Sequence, residues 1–224
     1  MSTKERLICA DPVDRLPRAT VPSSRSAMVQ TPRGDLTRWL AMVEDLLTER
    51  LRLRPWTLED LIPLSALFAK PEVWRYPFGR GFTAEETEAF LTRRLDLQEN
   101  RGLCERAVES RSGGLLIGYI GITMPDWLPE AMPTPEIGWR LDPSHWGRGL
   151  ATEGARACLT DGFTVLDIPE VMAIYEPQNT ASGRVMQRLG MQFDRDTVDP
   201  ERGIPLRFYR ISRAEWAARE SIDA

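Results

Sequence analysis

The stretch at positions 136–154, "EIGWRLDPSHWGRGLATEG", decides the fold. "EIGWRLD" reads as a strand. It runs into a small loop holding Gly147 and Gly149, and a helix follows from about Gly149 to Phe163, where Ala151, Ala155, Cys158, Leu159 and Gly162 share one face. A strand, a tight loop and a helix start gather several unpaired backbone N–H groups and a positive dipole end at one point, which favours a phosphate. The two glycines remove side chains that would block close approach, and Arg148 adds a charge that can pair a phosphate directly. The competing reading is that two glycines simply make a sharp turn.

Downstream of this stretch, "VMAIYE" is a short strand, "TASGRVMQRLG" a helix ended by Gly190, and "LRFYRISRAEW" a last strand. Upstream, "CERAVES" and "GLLIGYIGIT" form a hairpin about Gly113 and Gly114, and "MPDWLPEAMPTP" is a Pro-rich loop. Earlier still, "ERLRLRPWT" alternates with a period of two, as a half-buried strand does. Two helices follow, "TLEDLIPLSALF" with Thr57 and Asp60 as a near-capping box, and "TAEETEAFLTRRLDLQE" with Thr83 and Glu86. Between them "KPEVWRYPFGRGF" is an irregular loop whose Trp74, Tyr76 and Phe78 serve loop packing or touch a substrate. The order β, α, α, three strands, α, β, α and more strand predicts a mixed α/β domain in which antiparallel strands precede a parallel-type crossover.

Three segments are expected: a flexible arm over 1–34, an amphipathic helix over 35–48 and the main domain over 49–224. The arm mixes Pro, Ser and charge without a sustained period. In the helix, Leu36, Trp39, Leu40, Val43, Leu46 and Leu47 share a face, with Asp35 as N-cap.

Hydrophobic residues are 42% and charged residues 28% of 224, and no segment approaches the roughly 18 apolar residues of a membrane span. The formal charge of −4 supplies no net basic field for nucleic acid and suits a cationic or neutral small substrate. Cys9, Cys104 and Cys158 are odd in number and far apart, with His145 the single histidine, which argues against a disulfide framework or a zinc site and suits a reducing cytoplasm.

The loop lacks the Gly-Lys-Ser/Thr ending of a Walker motif, and Thr152 stands where a dinucleotide fingerprint needs its third glycine. It resembles the pyrophosphate-binding motif of the GNAT superfamily of N-acetyltransferases, Q/R-x-x-G-x-G/A, with Gly149 and Ala151 in the last two fixed positions and Trp146 in place of Gln or Arg. The form "WGRGLATE" is similar to the branch that holds the Rim-type ribosomal-protein N-terminal acetyltransferases and many small-amine acetyltransferases. "TERLRLRPWTLED" resembles that branch's opening strand. "NTASGRVMQRLGM" resembles the segment after its fifth strand, with Met191 replacing an aromatic residue.

The resemblance implies a mostly antiparallel central sheet of roughly six to seven strands and about four helices, with a parallel fourth/fifth strand pair splayed at the cofactor site. It implies transfer of an acetyl group from acetyl-CoA to a primary amine by direct attack in a ternary complex, with no metal. Trp146, Gly147, Arg148, Gly149, Leu150, Ala151 and Thr152 would hold the pyrophosphate, the backbone at Arg140 and Leu141 would pair with the pantetheine arm, and Asn179 would bond the pantetheine region, unless Asn179 is only a turn residue.

Glu136 is the candidate base, its alternative being an ordinary exposed Glu at a strand end. Many members of the family use a helix Tyr as the acid for the thiolate, and Met186 stands there. Ser182 is left as the candidate acid, although capping its helix is an equal reason for a Ser. His145 reads as structural or close to the pyrophosphate. The acceptor is a protein N-terminus or a small-molecule amine, with no nucleic acid or membrane partner, and a homodimer through the 36–47 helix or an edge strand remains open. The reading from a different class is a non-catalytic acyl-CoA sensor or interaction module.

Overall fold

The computed structural model describes residues 44–100 and 103–223. The expected arm and most of the 35–48 helix lie outside the described residues. The end of that expected helix is not helical: Leu46–Leu47 forms a two-residue strand, β1, with Leu46 opposite Leu53 and Leu47 opposite Arg52. Leu46 packs on the core while Leu47 is 65% exposed, an alternation that suits a strand rather than a helix face.

The chain continues through β2 (Leu51–Arg54), α1 (Leu61–Phe68), α2 (Ala84–Glu99), β3 (Arg106–Ser110), β4 (Leu115–Thr123) and β5 (Glu136–Leu141). It then forms α3 (Leu150–Thr164), β6 (Glu170–Tyr175), α4 (Thr180–Arg188), β7 (Gln192–Val198), β8 (Pro205–Ser212) and α5 (Arg213–Asp223). The sheet has eight strands in the order β1-β2-β3-β4-β5-β6-β8-β7, antiparallel throughout except for β5 and β6.

Two expected caps are present. Thr83 and Glu86 exchange bonds at the start of α2, with Thr83 N–H donating to Glu86 Oε2 at 2.7 Å and Glu86 N–H to Thr83 Oγ1 at 3.2 Å. Thr57 N–H donates to Asp60 Oδ2 at 2.9 Å, and Arg54 grips the same carboxylate with two nitrogens at 2.8 and 2.6 Å.

Among the described residues eight strands and five helices stand against the roughly six to seven and about four expected, the additions being β1, β7 and α5. The strand expected over "LRFYRISRAEW" stops at Ser212, and α5 begins there. Ser212 N–H donates to Glu215 Oε2 at 2.8 Å and Glu215 N–H to Ser212 Oγ at 3.3 Å. "SRAE" is therefore a capping box, a signal present in the sequence. β7 carries no such signal: it is an edge strand with nearly every side chain exposed, so it has no alternating apolar face.

Each sheet face has its own core. One face is covered by α3, α4 and α5, where Leu150, Ala155, Leu159, Phe163, Met186 and Trp216 pack on Leu53, Ile120, Ile137, Val171 and Ile211. On the other, Leu64, Phe68, Phe90 and Leu91 of α1 and α2 pack with Trp56, Trp74 and Tyr119. Trp74, Phe78 and Phe82 of the aromatic loop belong to this second cluster, with Trp74 stacked on Phe82 at 3.7 Å between centroids.

The docking of α5 rests on Trp216, 3% exposed and 6.1 Å from the Phe163 ring. Trp216→Ala should cost about 3–5 kcal/mol, read as a lower urea midpoint at an unchanged slope. A loss below about 1 kcal/mol would mean that α5 is not part of the core.

Candidate functional site

β5 pairs with β4 along its whole length, from Glu136 opposite Thr123 to Leu141 opposite Gly118. With β6 it makes one pairing, Glu136 opposite Met172, fixed by Met172 N–H donating to the Pro135 carbonyl at 2.9 Å. Beyond that point the strands part. Ile137 to Leu141 thus present an edge without a partner strand among the described residues, where an extended ligand can supply the missing hydrogen bonds.

At the far end of β5 lies the glycine loop. Gly147 and Gly149 have φ of +73° and +79°, a region that favours glycine, and a Cβ on Gly147 would meet nothing within 4 Å. Gly149 is the N-cap of α3 and offers no capping side chain, so the first N–H groups of the helix, at Leu150, Ala151 and Thr152, are left for another acceptor. The Thr152 hydroxyl is buried there without a partner. Arg148 is exposed. A bare backbone, a helix N-terminus, an orphan hydroxyl and a free cation fit a phosphate group.

Trp146 anchors the loop. Its indole N–H donates to the Leu141 carbonyl at 2.8 Å, pinning the loop to the end of β5. Arg50, which sequence reasoning passed over as one polar residue of an alternating strand, holds the other side. It donates to the Arg148 carbonyl at 2.9 Å and pairs with Glu153. His145 is held at its Nδ1, 3.0 Å from the Ser144 hydroxyl, and does not line the cleft.

The opening between β5 and β6 leads into a cleft of about 410 Å³ whose lining comes from both sheet faces. Asn179, Ser182 and Met186 approach from α4, while Glu136, Gly138 and Arg140 line it from β5. Asn179 is the N-cap of α4, its Oδ1 accepting from Ser182 N–H at 3.3 Å. Capping is therefore done by Asn179, which frees the Ser182 hydroxyl for the cleft. Met186, where the family's Tyr would stand, is 1% exposed and belongs to the core. Tyr175, at the end of β6, also reaches this place: its hydroxyl is 3.0 Å from where a Gly183 Cβ would lie.

Arg140 is immobilised. Its guanidinium lies 3.9 Å over Trp74 and donates to the Val73 carbonyl, to the Tyr76 carbonyl at 3.1 Å and to the Tyr119 hydroxyl at 3.2 Å. The side chain ties the aromatic loop to β5 and leaves the backbone to face the opening.

Glu136 is half-buried rather than an exposed strand end. Burial, reinforced by the nearby negative charge of Glu105 and opposed by a hydrogen bond from Trp127, pushes its carboxyl up to about 8. A carboxyl that titrates near neutrality at the floor of a cleft is suited to proton transfer. The structure thus brings Glu136, Asn179, Ser182 and the β5 edge into one cleft, with the 146–152 loop forming a separate surface beyond the strand's end. It also adds Glu105 and Arg94 to the lining, which no local motif marks.

The family model of the acetyltransferase (GNAT) domain matches residues 50–192. An uncharacterized N-acetyltransferase of Bacillus licheniformis is 31% identical over 151 residues, covering 67% of this chain and 83% of that protein. The crystal structure of a GNAT-family acetyltransferase from Bacillus anthracis superposes with a TM-score of 0.65 at 25% identity, over 77% of this chain and 100% of that one. The fold is shared also by RimL, a ribosomal L7/L12 acetyltransferase solved with coenzyme A, at a TM-score of 0.64 and 18% identity over 75% of this chain and 98% of that one. By the matched domain, the parted parallel strand pair and the glycine loop at its end, this chain belongs to the GNAT family of acetyltransferases.

Proposed function

We propose that the protein is an acetyl-CoA-dependent N-acetyltransferase acting on a primary amine in a ternary complex. One observation carries this reading: the unpaired edge of β5 connects an anion-binding loop at one end with the Glu136 carboxyl at the other. The N–H groups at the start of α3 and Arg148 hold the pyrophosphate, the backbone from Ile137 to Leu141 pairs with the pantetheine arm, and Asn179 steadies that arm from α4. Bound there, acetyl-CoA supplies an activated acyl group at its thioester carbon. The "WGRGLATE" loop supports a place in the Rim-type branch, whose acceptors are protein N-termini or small amines.

The chain's own residues manage the protons. An amine arrives as an ammonium ion and is a nucleophile only after losing a proton, which the ionised Glu136 carboxylate accepts. The Ser182 hydroxyl lies on the opposite side of the opening and donates to the departing sulfur. The arm at 1–34 takes no part in this chemistry, so a chain lacking it should keep full turnover; a marked loss would place the arm in the site.

Gly149→Glu would put a carboxylate where the phosphates bind. It should abolish stabilisation by coenzyme A in a thermal titration, an effect of about 2.7 kcal/mol at 100 times the dissociation constant; the φ of +79° at this position lowers the ligand-free melting temperature as well, so the readout is the shift on adding ligand to the folded variant. Retained affinity would remove the loop from the site.

Glu136→Gln should lower turnover by roughly 10² to 10⁴. In the parent, kcat/KM should rise with pH through a midpoint of about 8 as Glu136 ionises and level off above it; the variant should lose that limb. Stability gives an independent check. Glu136 keeps its proton in the folded state up to about 8 but loses it near 4.5 when unfolded, so the folded state loses stability as pH rises between those values. The Gln variant should therefore gain in melting temperature relative to the parent at pH 9 and not at pH 4. Equal profiles would show that Glu136 is not the titrating group.

A further inference from the structure

Among the acids that line the cleft, Glu105 has no part in proton transfer by Glu136. Glu105 is 5% exposed and lines the cleft. Its Oε1 accepts from Arg94 Nη2 at 2.9 Å, and its Oε2 is buried with no hydrogen-bond partner. A buried acceptor without a partner is unfavourable, more so when charged, so this oxygen calls for a donor from a ligand.

The sheet register shows what lies in front of it. Arg106 faces Ile120, which sets Glu105 beside Gly121, and Gly121 faces Gly138 on β5. Residues opposite one another share a sheet face, so Glu105, Gly121 and Gly138 form a row across three strands, next to the row that holds Thr123 and Glu136. Two positions in that row carry no side chain, for different reasons. A Cβ on Gly121 would lie 2.6 Å from the Glu105 Cα, so only glycine lets β3 come this close. A Cβ on Gly138 would stand in open space.

The result is a bare floor over Gly121 and Gly138, with Glu105 at one end of the row and Glu136 two residues along β5 from the other, near enough for the Glu105 charge to act on Glu136. Phe90, Tyr119 and Trp127 line the same cleft. The neighbouring acids Glu86 and Asp126 are paired with Arg80 and Arg93; Glu105 is paired with Arg94 through Oε1 alone, which leaves Oε2 for a ligand.

We propose that Glu105 and Glu136 together seat the acceptor's ammonium group over the Gly121 and Gly138 floor. Glu105 Oε2 accepts a hydrogen bond that holds the nitrogen, and Glu136 accepts the proton. The acceptor is then a cationic primary alkylamine rather than a neutral arylamine, because an ammonium offers three N–H donors and a charge to two carboxylates, whereas an arylamine offers two donors and no charge. This rests on the acetyl-transfer reading for the role of Glu136 but not for the seat itself.

The test uses n-butylamine with the full chain, in two measurements. Its binding is read by calorimetry on protein saturated with coenzyme A, and its turnover with acetyl-CoA by thiol release. Glu105→Gln keeps an oxygen for Arg94. It should raise both the dissociation constant and the KM for butylamine about 10- to 100-fold, with kcat changed far less, the pH limb of Glu136 retained but moved to lower pH because the Glu105 charge that raises it is gone, and coenzyme A affinity unaltered. Gly138→Ala adds one methyl group into open space, so it should fold as the parent does and likewise weaken butylamine.

Unchanged butylamine binding in the Gln variant, or in the Ala variant should the Gln variant not fold, overturns the seat, as does failure of the parent to bind butylamine or a preference for aniline. A Gln variant that loses coenzyme A affinity as well as amine affinity makes Glu105 structural and also overturns it. Butylamine binding that depends on Glu105, in a parent that acetylates no amine, upholds the seat and rejects the acetyl-transfer reading.

Discussion

The parting of β5 from β6 after one pairing is the constraint on which the site depends. A sheet interior normally satisfies every backbone N–H and C=O by pairing. Here β5 is tied along one side to β4 and left open on the other, so a strand in the middle of the sheet behaves as an edge. The opening passes between the two larger hydrophobic clusters, and residues from both faces therefore reach one cleft. No helix or strand could have been placed there without removing the edge that a linear ligand needs.

An opening of this kind must be held by its surroundings, and the side chains around it show how. Trp146 ties the glycine loop to the last carbonyl of β5, and Arg50 ties the same loop to β2 and the first turn of α3. Arg140 locks the aromatic loop against the strand from the other face. Three large side chains near the binding surface are thus fully engaged in holding backbone. Their contribution is to keep N–H and C=O groups in place before a ligand arrives, which lowers the ordering cost of binding.

The electrostatics follow the same geometry. Glu136 sits where the sheet is still closed, so its carboxyl is shielded from water and titrates near 8. Glu105 reaches the cleft because two glycines in adjoining strands leave nothing above the sheet between them. The negative charge of the site is therefore set by strand register as much as by residue type.

The features that the sequence determined by itself are those whose signals lie within a few residues of one another. The loop from Trp146 to Thr152, the caps at Thr57 and Thr83, the hairpin at Gly113 and Gly114, and the strand from Glu136 were legible because turn chemistry, capping and periodicity act locally. The "SRAE" cap of α5 was equally local and was overridden by the apolar alternation running into it, whereas β7, exposed on nearly all its side chains, had no pattern to read. The sequence also could not tell a helix at Leu46 and Leu47 from the strand that pairs with β2.

Only the tertiary structure decided which groups Trp146, Asn179, Ser182 and Glu105 meet. A side chain's role depends on which distant group it meets: Trp146 meets a carbonyl, Asn179 takes over the capping that would have occupied Ser182, and Glu105 comes into the field of Glu136 across two intervening glycines. Such meetings are fixed by sheet register and by the packing of two cores, in which every residue's position depends on all the others, so no short stretch of sequence contains them.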